Sequence, residues 1–395
     1  MLLLSSPRSS SPATIGLPER RRGRRRLAFV LSAAIALSGC GDADESRRAD
    51  SAISKAALQR VADDYRDACR SPGAAIGVRT PDGARHLAIS GELAPDVPLA
   101  ADSQYFAGSV TKLFVATLAY RLIEEGRLGR AEPVAAFLPS WPGGDRITVA
   151  MLLGHTSGMG DFGNDFSTEL RDLVLGDLTR VYGYDEVLAL VARVPPVAAP
   201  GERYHYSNAN FIVLGAIVQR ITGRTLGDGI EREIVQPLRL QRTLYGPDRL
   251  DALRAVIFHG LFDVTGTGTP IDIGGFPREA AFTVDPAGSG VVSTAPDLLT
   301  FVHTLFATAR LLQPASRRSL ASEVATISAG DLLLDGDFRI HGHGGAAPGA
   351  QTIVAHDEAN DVTVVAWCNR LDPGEQELLA SVLAQRAAFE LAVQR

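Results

Sequence analysis

A serine and a lysine stand three residues apart, at Ser109 and Lys112, where an apolar helical pattern begins. Residues i and i+3 lie on one face of a helix, so the lysine nitrogen can reach the serine oxygen. A serine hydroxyl becomes a good nucleophile only when a neighbouring base takes its proton, and a lysine in a partly desolvated pocket can be that base. The pair predicts nucleophilic catalysis. The alternative is an N-capping serine followed by a surface lysine, which would have the same sequence pattern.

A second motif, Tyr206-Ser207-Asn208, follows Pro-Gly at positions 200–201 and precedes an apolar helical run. A phenol beside a cationic lysine can shuttle protons. An asparagine amide can orient that lysine and bind a substrate carbonyl. The alternative is an aromatic core residue followed by an asparagine that caps the helix.

A third motif, His343-Gly344-Gly345, predicts a strand edge where small residues let a substrate backbone approach closely. The histidine can polarise the site or replace a cation there. The alternative is a glycine-rich hairpin with a surface histidine. His341 shares a strand face with His343, as two metal ligands would. No cysteine is near and the nearest carboxylates lie in a predicted turn, so we expect no metal and no organic cofactor.

In this order and at these separations, the three motifs resemble those of the serine β-lactamase and penicillin-binding-protein family. The likeness is greatest to class C β-lactamases, D-alanyl-D-alanine carboxypeptidases and related esterases. Residues 152–159, 200–201 and 287–297 also look like stretches of that family. The resemblance runs from about residue 71 to about residue 369, which is nearly all of the chain after its N-terminal segment.

The resemblance implies a role for each motif residue. Ser109 would attack a carbonyl carbon and form an acyl-enzyme. Lys112 and Tyr206 would share the general-base and general-acid work, and the sequence does not decide which takes the proton. Asn208 would hold Lys112 and the substrate amide. His343 would stand opposite the serine, where related enzymes carry lysine or histidine.

The resemblance also implies an oxyanion hole made by the backbone N–H groups of Ser109 and Ala346, beside Gly344 and Gly345. Each donor of such a hole typically lowers the barrier by about 3–4 kcal/mol. Water would then release the acyl group.

One departure from the family pattern bears on the substrate. Many such enzymes carry threonine or serine at the position of Gly344, where the hydroxyl can reach a substrate carboxylate. A hydrogen bond to a charged group is worth roughly 1.5–3 kcal/mol, so its loss weakens recognition of a penicillin or D-alanine carboxylate. Arg339, four residues before His343, could replace that hydroxyl.

Periodicity predicts a mixed α/β (α+β) fold. Residues 52–70 read as an amphipathic helix, and two strands flank a turn at 81–83. Ser109 opens a helix that Gly126 ends. Two late strands flank a turn at 357–360, and a last helix covers 375–393.

Strands near both ends with helices between them predict an antiparallel sheet flanked by helices, with an all-α insertion lobe. This would place residues 70–90 beside 350–370, as in the family's fold. The domain would then span 52–395, with an α/β lobe at 52–116 and 284–395 and the all-α lobe at 117–283.

The N-terminal segment has the pattern of an export signal. Six arginines between positions 20 and 26 precede a short apolar stretch at 27–37, which is too short to span a bilayer. The stretch ends in Leu-Ser-Gly-Cys40, which resembles a bacterial lipobox. We expect a signal peptide at 1–40, lipid attachment at Cys40, a polar tether at 41–51, and a place in the bacterial cell envelope.

The net charge limits the kinds of partner that the protein can bind. The chain carries a net charge of −6, and because residues 1–39 carry +6 the remainder carries about −12, which argues against a nucleic-acid partner. We expect a monomer that binds a small-molecule or peptide substrate.

In the family's fold Cys69 and Cys368 come close, so we predict a disulfide between them; two separate buried thiols are the alternative.

Together these features predict a serine hydrolase that acts through an acyl-enzyme on cell-wall peptides, β-lactams or small esters. A non-catalytic penicillin-binding-like receptor lipoprotein that holds a cell-wall peptide is the alternative. Intact residues at all three proton-transfer positions argue against a pure binder.

Overall fold

The strands at the middle of the sheet are apolar on both faces, which requires a covering layer on each side. The computed structural model describes residues 53–161, 176–255, 259–262, 269–326, 332, 334, 338–371 and 375–393. Residues 51–395 fall into one compact unit. The predicted signal peptide, Cys40 and the tether lie outside the described residues.

Twelve strands occur in the described part of the chain. They are Gly73–Arg79 (β1), Arg85–Ala94 (β2), Val97–Pro98 (β3), Tyr105–Phe106 (β4), Leu244–Tyr245 (β5), Leu261–Phe262 (β6), Ile271–Asp272 (β7), Val291–Ser293 (β8), Ile340–Ala347 (β9), Ala350–Asp357 (β10), Val362–Cys368 (β11) and Arg370–Leu371 (β12). Six of them form the main sheet, in the order β3-β2-β1-β11-β10-β9, and two small sheets have the orders β12-β6-β7 and β4-β8-β5.

Neighbouring strands of the main sheet are antiparallel. Strand β1 pairs with β2 across the predicted hairpin and with β11 from the far end of the chain, so that Ala74 faces Cys368. Strand β10 pairs with β11 and with β9. The prediction that residues 70–90 lie beside 350–370 is therefore confirmed. Strand β9 lies at the edge of the described sheet.

Helices supply the remaining layers. The α-helices of the described residues are Lys55–Ala68 (α1), Thr111–Glu124 (α2), Val149–Leu153 (α3), Tyr184–Val191 (α4), Asn208–Thr222 (α5), Leu226–Ile230 (α6), Gln236–Leu238 (α7), Leu250–Ala255 (α8), Glu279–Val284 (α9), Pro286–Ser289 (α10), Ala295–Ala307 (α11), Pro314–Glu323 (α12) and Glu375–Val393 (α13). No helix in this part of the chain combines the length and apolar character needed to cross a membrane.

The two faces of the sheet belong to different hydrophobic clusters. Ala74, Ile76 and Val78 of β1 pack in the cluster that includes α1 and α13. Ala75 belongs to the larger cluster, which joins the sheet to α2, α5 and α11. This alternation follows from the two-residue period of a strand. It confirms the predicted sheet with helices on both faces.

The predicted insertion between 117 and 283 is mainly helical and also contains three two-residue strands, β5, β6 and β7. Strand β5 pairs with β8, and β6 pairs with β12, so this region hydrogen-bonds to strands that follow it in sequence. The predicted lobe boundaries stay predictions.

Cys69 and Cys368 are both fully buried, one after α1 and the other at the end of β11. Their sulfur atoms lie 2.8 Å apart, whereas a disulfide bond measures about 2.05 Å. The structure thus brings the two cysteines into contact, and the disulfide itself stays a prediction. The prediction was right about which residues meet, because β1 places the end of α1 beside β11.

Candidate active site

Ser109 and Lys112 lie in one continuous helical segment. A 3-10 turn at Gly108–Val110 leads directly into α2, so the two residues share a face. The Lys112 ammonium donates to Ser109 Oγ at 2.9 Å. Lys112 is fully buried, whereas Ser109 is partly exposed. A substrate can therefore reach the hydroxyl, while the amine that contacts it is shielded from water.

The surroundings of Lys112 fix where its nitrogen points. It also donates to the carbonyl of Gly288 at 3.2 Å. Its Nζ lies 5.1 Å from the centre of the Tyr206 ring and 5.9 Å from that of Phe211. A cation is attracted to aromatic faces at these distances. The structure thus brings residues from the first two predicted motifs into one site.

Gly288 has a specific reason to be glycine. A Cβ at this position would lie 2.2 Å from Oδ1 of Asp285, so any side chain here would require the Asp285 carboxyl group to move. Burial raises the pKa of Asp285, and the Lys112 charge opposes that shift. The stretch at 287–290 therefore supplies a carbonyl to the lysine and a carboxyl beside it. Sequence reasoning quoted this stretch without giving it a role.

Asn208 lies at the first position of α5, with Ser207 as the N-cap. Its backbone N–H donates to Asp161 Oδ1 at 3.1 Å. Its side-chain Oδ1 is buried and has no hydrogen-bond partner in the described structure. The hydrogen bonds of Lys112 in these residues go to Ser109 and Gly288, so the Gly288 carbonyl holds the lysine here, while the role of Asn208 toward a substrate amide stays a prediction.

The Tyr206 ring packs against His155, a residue to which the sequence analysis gave no role. The two rings stack with centres 4.4 Å apart and planes 24° from parallel. His155 Nδ1 accepts the backbone N–H of Ser207 at 3.2 Å, and its carbonyl accepts the N–H of His205 at 2.8 Å. The histidine therefore contacts three consecutive residues of the tyrosine motif.

Burial holds the pKa of His155 well below its ordinary value, and the Lys112 charge acts in the same direction. The ring is neutral at neutral pH, and because Nδ1 accepts a hydrogen bond the proton is on Nε2. His155 also has a backbone φ of 52°, in a region that non-glycine residues seldom adopt. The sequence signal was its place in the stretch 152–159, which resembles the family.

Strand β9 approaches the serine turn so closely that two glycines are required. A Cβ on Gly345 would lie 2.1 Å from the carbonyl oxygen of Ala107, and a Cβ on Gly108 would lie 2.6 Å from the backbone nitrogen of Ala346. Gly108 also has a φ of 53°. Ala346 N is thus placed beside the turn that carries Ser109 N, as the predicted oxyanion hole requires.

His343 is almost completely buried on β9, and its ring centre lies 6.3 Å from that of Tyr206. Burial lowers its pKa to about 3, and the Lys112 charge contributes to that shift. Its Nδ1 lies 2.5 Å from the carbonyl oxygen of Gly344 and donates to it. At neutral pH His343 is therefore uncharged. At neutral pH His343 therefore does not replace a cation, contrary to the expectation from the sequence.

Four buried side-chain atoms around Lys112 have no hydrogen-bond partner in the part of the chain that the structure describes. They are His155 Nε2, Asn208 Oδ1, Asp285 Oδ1 and His343 Nε2. Such atoms are uncommon in native proteins, and they concentrate where a ligand or catalytic group acts. Within the same described ranges, no group of three histidines, cysteines or carboxylates is arranged to hold a metal ion.

Comparison with known proteins shows to which family the chain belongs. The model of the Beta-lactamase family matches residues 58–388. Penicillin-binding protein 4 of Amycolatopsis lactamdurans is 30% identical over 200 residues, which cover 48% of each chain. Esterase EstB of Burkholderia gladioli is 33% identical over 153 residues, 36% of this chain and 39% of the esterase. The chain therefore spans about half or less of the length of these two relatives.

A solved structure shows the same fold over a greater length. The D-amino acid amidase of Ochrobactrum anthropi SV3, crystallised with L-phenylalanine amide, superposes with a TM-score of 0.73. The superposition covers 85% of this chain and 97% of the amidase, at 22% sequence identity. At that identity the likeness concerns the fold, which is the α/β architecture predicted from the sequence.

Proposed function

Because this chain belongs to the Beta-lactamase family, we propose that it is a serine hydrolase that cleaves amide or ester bonds through an acyl-enzyme. The observation that carries the proposal is the 2.9 Å contact between the buried Lys112 nitrogen and the accessible Ser109 oxygen. The names of its relatives, a penicillin-binding protein, an esterase and an amidase, fit this reaction class.

In the proposed reaction the Ser109 oxygen attacks the substrate carbonyl carbon while its proton passes either to Lys112 in its neutral amine form or to Tyr206 in its phenolate form. The negative charge on the carbonyl oxygen is stabilised by the N–H groups of Ser109 and Ala346. The leaving amine or alcohol takes a proton and departs, which leaves an ester on Ser109. Water then attacks that ester, gives up a proton to the same pair, and releases a carboxylic acid.

Tyr206 is suited to the proton relay because it lies beside Lys112 on a rigid support. The Lys112 nitrogen lies 5.1 Å from its ring centre, and the neutral His155 ring stacks on it with the ring centres 4.4 Å apart. A second cation at His155 would repel Lys112, so the neutrality of the histidine is part of the arrangement.

The test is covalent labelling with a fluorophosphonate and a fluorescent penicillin, followed by hydrolysis of p-nitrophenyl acetate. Ser109→Ala should abolish labelling and turnover. Lys112→Met, which keeps the buried stem, should lower kcat/KM by about 10²- to 10⁴-fold because the amine that contacts the serine oxygen and takes part in proton transfer is lost. Lys55→Met, at the exposed start of α1, is the matched control and should behave like wild type.

A stable penicillin adduct without turnover of any substrate would favour the alternative, a receptor that binds a cell-wall peptide. Turnover retained in Ser109→Ala would exclude the acyl-enzyme. Unfolding measured by circular dichroism separates a lost nucleophile from a lost fold.

We further propose that the chain is exported, lipid-anchored through Cys40 in the bacterial cell envelope, and monomeric. The arginine block, the short apolar stretch and the Leu-Ser-Gly-Cys40 sequence support this. Cys40→Ser should move the protein from the membrane to the soluble fraction, and gel filtration reports the oligomeric state. Export would also expose Cys69 and Cys368 to oxidants, and a count of zero free thiols among these two would show that they pair.

A further inference from the structure

A carboxyl group that the proposed reaction does not use lies close to the buried lysine. Asp285 immediately precedes α10, a short helix that contacts both α2 and α5. Its Oδ2 accepts the hydroxyl of Ser289 at 3.2 Å, whereas its Oδ1 is buried and has no hydrogen-bond partner in the described part of the chain. A buried oxygen of this kind, next to the lysine of the site, requires an explanation.

Asp285 fixes the carbonyl that holds Lys112. The N–H of Ser289 donates to the Asp285 carbonyl at 3.0 Å, and the carboxyl group packs on Gly288, where a Cβ would lie 2.2 Å from Oδ1 and 2.4 Å from Oδ2. The Gly288 carbonyl in turn accepts the Lys112 ammonium at 3.2 Å. The turn that Asp285 closes therefore places the acceptor of the lysine.

The charges of Asp285 and Lys112 also act on each other. Burial raises the pKa of Asp285, while the Lys112 charge, the Ser289 hydroxyl and the N–H of Gly288 favour its charged form. Because this attraction is mutual, a charged Asp285 favours the ammonium form of Lys112. No direct ion pair joins the two groups in the described structure, so the attraction acts over a longer distance, in surroundings that screen it less than bulk water does.

Four other titratable groups around these two residues are neutral at neutral pH. Burial lowers the pKa of two histidines that interact with Lys112 and raises the pKa of two tyrosines that interact with Asp285. These four residues are His155, His343, Tyr184 and Tyr245. They supply no negative charge that could balance the ammonium.

Two further carboxyl groups lie in this region, and both hold backbone elsewhere. Asp161 interacts with Asp285, and its Oδ1 accepts the N–H of Asn208 at 3.1 Å. The exposed Asp248 interacts with the two tyrosines, and its Oδ2 accepts the N–H of Gly227 at 2.9 Å. Asp285 differs from both because its carboxyl group packs on the residue that holds Lys112.

We propose, on the premise of the hydrolase activity above, that Asp285 is the counter-ion of Lys112 and sets the pH at which Lys112 or Tyr206 can accept the proton of Ser109. Its negative charge attracts the ammonium and repels a phenolate, so it favours the protonated form of both groups. The site gains its base only after the lysine or the phenol loses a proton against this charge. Asp285 acts through Lys112 and is therefore a positioning residue.

The decisive experiment follows the rate of fluorophosphonate labelling of Ser109 as a function of pH. In wild type the rate should rise with pH to a plateau as the base forms. Asp285→Asn removes the charge but keeps the shape and an oxygen acceptor for Ser289. It should reach half of its own plateau at a pH about one unit lower than wild type. An unchanged half-plateau pH, or a shift to higher pH, would overturn the inference.

Two control variants separate the charge from the shape of the turn. Ser289→Ala removes the hydroxyl that binds the carboxyl group and keeps the charge, so its half-plateau pH should stay close to that of wild type. Asp251→Asn makes the same change of charge at an exposed position in α8 and should have the wild-type profile. A shift in either variant as large as that in Asp285→Asn would contradict the role of the Asp285 charge.

A direct measurement is possible because the sequence contains two lysines, Lys55 and Lys112. Protein labelled with ¹³C at lysine Cε gives one NMR signal for each. In Asp285→Asn, Lys112 should lose its proton at a lower pH than in wild type, while the exposed Lys55 should titrate as before. An unchanged Lys112 titration would overturn the inference. Asp285→Ser, which also removes the charge, replaces the asparagine variant if circular dichroism shows that the latter does not fold.

Failure of this inference and failure of the hydrolase proposal give different results. Wild type and Asp285→Asn that are both labelled, hydrolyse p-nitrophenyl acetate and share one pH profile contradict the counter-ion alone. A folded wild type that is neither labelled nor active contradicts the hydrolase proposal, and the inference fails with it.

Discussion

Two groups of polar side chains lie near β9, and they differ in burial and in hydrogen bonding. The first, here the site cluster, consists of Lys112, His155, Tyr206, Asn208 and His343. Three of its buried atoms have no partner in the described structure.

The second group, here the histidine cluster, consists of His303, His341 and His356 with the acids Glu358 and Asp361. His303 Nε2 lies 3.1 Å from Asp361 Oδ1, and His341 Nε2 lies 3.9 Å from Glu358. His356 Nδ1 lies 3.0 Å from the hydroxyl of Thr363. Within the described residues, no nitrogen or oxygen of these side chains is both buried and unpartnered.

The contrast separates two uses of the same residue types. His343 and His356 lie on paired strands, and burial lowers the pKa of each to about 3. One has an open ring nitrogen beside a nucleophile, while the other is hydrogen-bonded in the sheet. A satisfied buried network stabilises a fold, whereas unsatisfied atoms mark a place where a ligand or a reaction supplies the partner. The predictions below test this division.

The largest effect is expected where β9 meets the serine turn. Gly345→Ala would place a Cβ 2.1 Å from the Ala107 carbonyl oxygen, which forces the strand away from Ser109. A displacement of about 1 Å can cost about 100-fold in rate, so kcat/KM for p-nitrophenyl acetate should fall by about that factor. Gly344→Ala, one residue earlier and without a clash, should stay within a few-fold of wild type. Equal losses in the two variants would show that the close approach is not needed.

An intermediate effect is expected at His155. His155→Ala removes the ring that supports Tyr206 and should lower kcat by about 10-fold, because the phenol is no longer fixed beside Lys112. His155→Phe keeps the stacked ring but loses the Nδ1 acceptor for Ser207 N–H, so it should recover part of that rate. Kinetics with p-nitrophenyl acetate and thermal unfolding measure the two effects. A phenylalanine variant no faster than the alanine variant would argue against support by the ring.

The smallest effect on activity is expected in the histidine cluster, where stability should change instead. The pKa of His356 is about 3 in the folded protein and about 6.5 in an unfolded chain. Between these values the unfolded chain binds a proton that the folded one does not, so stability falls as pH drops from 6.5 toward 3. His356→Gln should remove one proton from that dependence, which is about 1.4 kcal/mol per pH unit, and leave kcat/KM near wild type.

Denaturant unfolding at several pH values measures this slope. His343→Gln should flatten the slope in a similar way, because its pKa is also about 3, but it should lower activity as well. A slope unchanged in His356→Gln would mean that this histidine is protonated in the native state.

Much of the fold could be predicted because its signals are local. The final helix was expected over 375–393 and spans Glu375–Val393, since strong helix formers and the lack of glycine and proline mark it without reference to any partner. The first hairpin follows from alternating strands around a Pro-Asp-Gly turn. The Ser109–Lys112 contact follows from the three-residue spacing at a helix start.

The features that were missed depend on residues far apart in the chain. No periodicity indicates that His155 stacks on Tyr206, or that the carbonyl of Gly288 receives Lys112. The residue type alone could not predict whether His343 is charged, because burial lowers the pKa of its ring. Arg339 is only four residues from His343 in sequence, yet four residues of an extended strand span about 13 Å.

The sequence by itself determined the order of the motifs, the elements that carry them and the chemistry open to their side chains, because bond geometry and side-chain type act over a few residues. The tertiary structure alone decided which backbone approaches the serine, which groups stay charged and which polar atoms lack partners. Those properties arise from packing between segments about 50 or more residues apart, where burial and contact, rather than residue type, set the energy of each group.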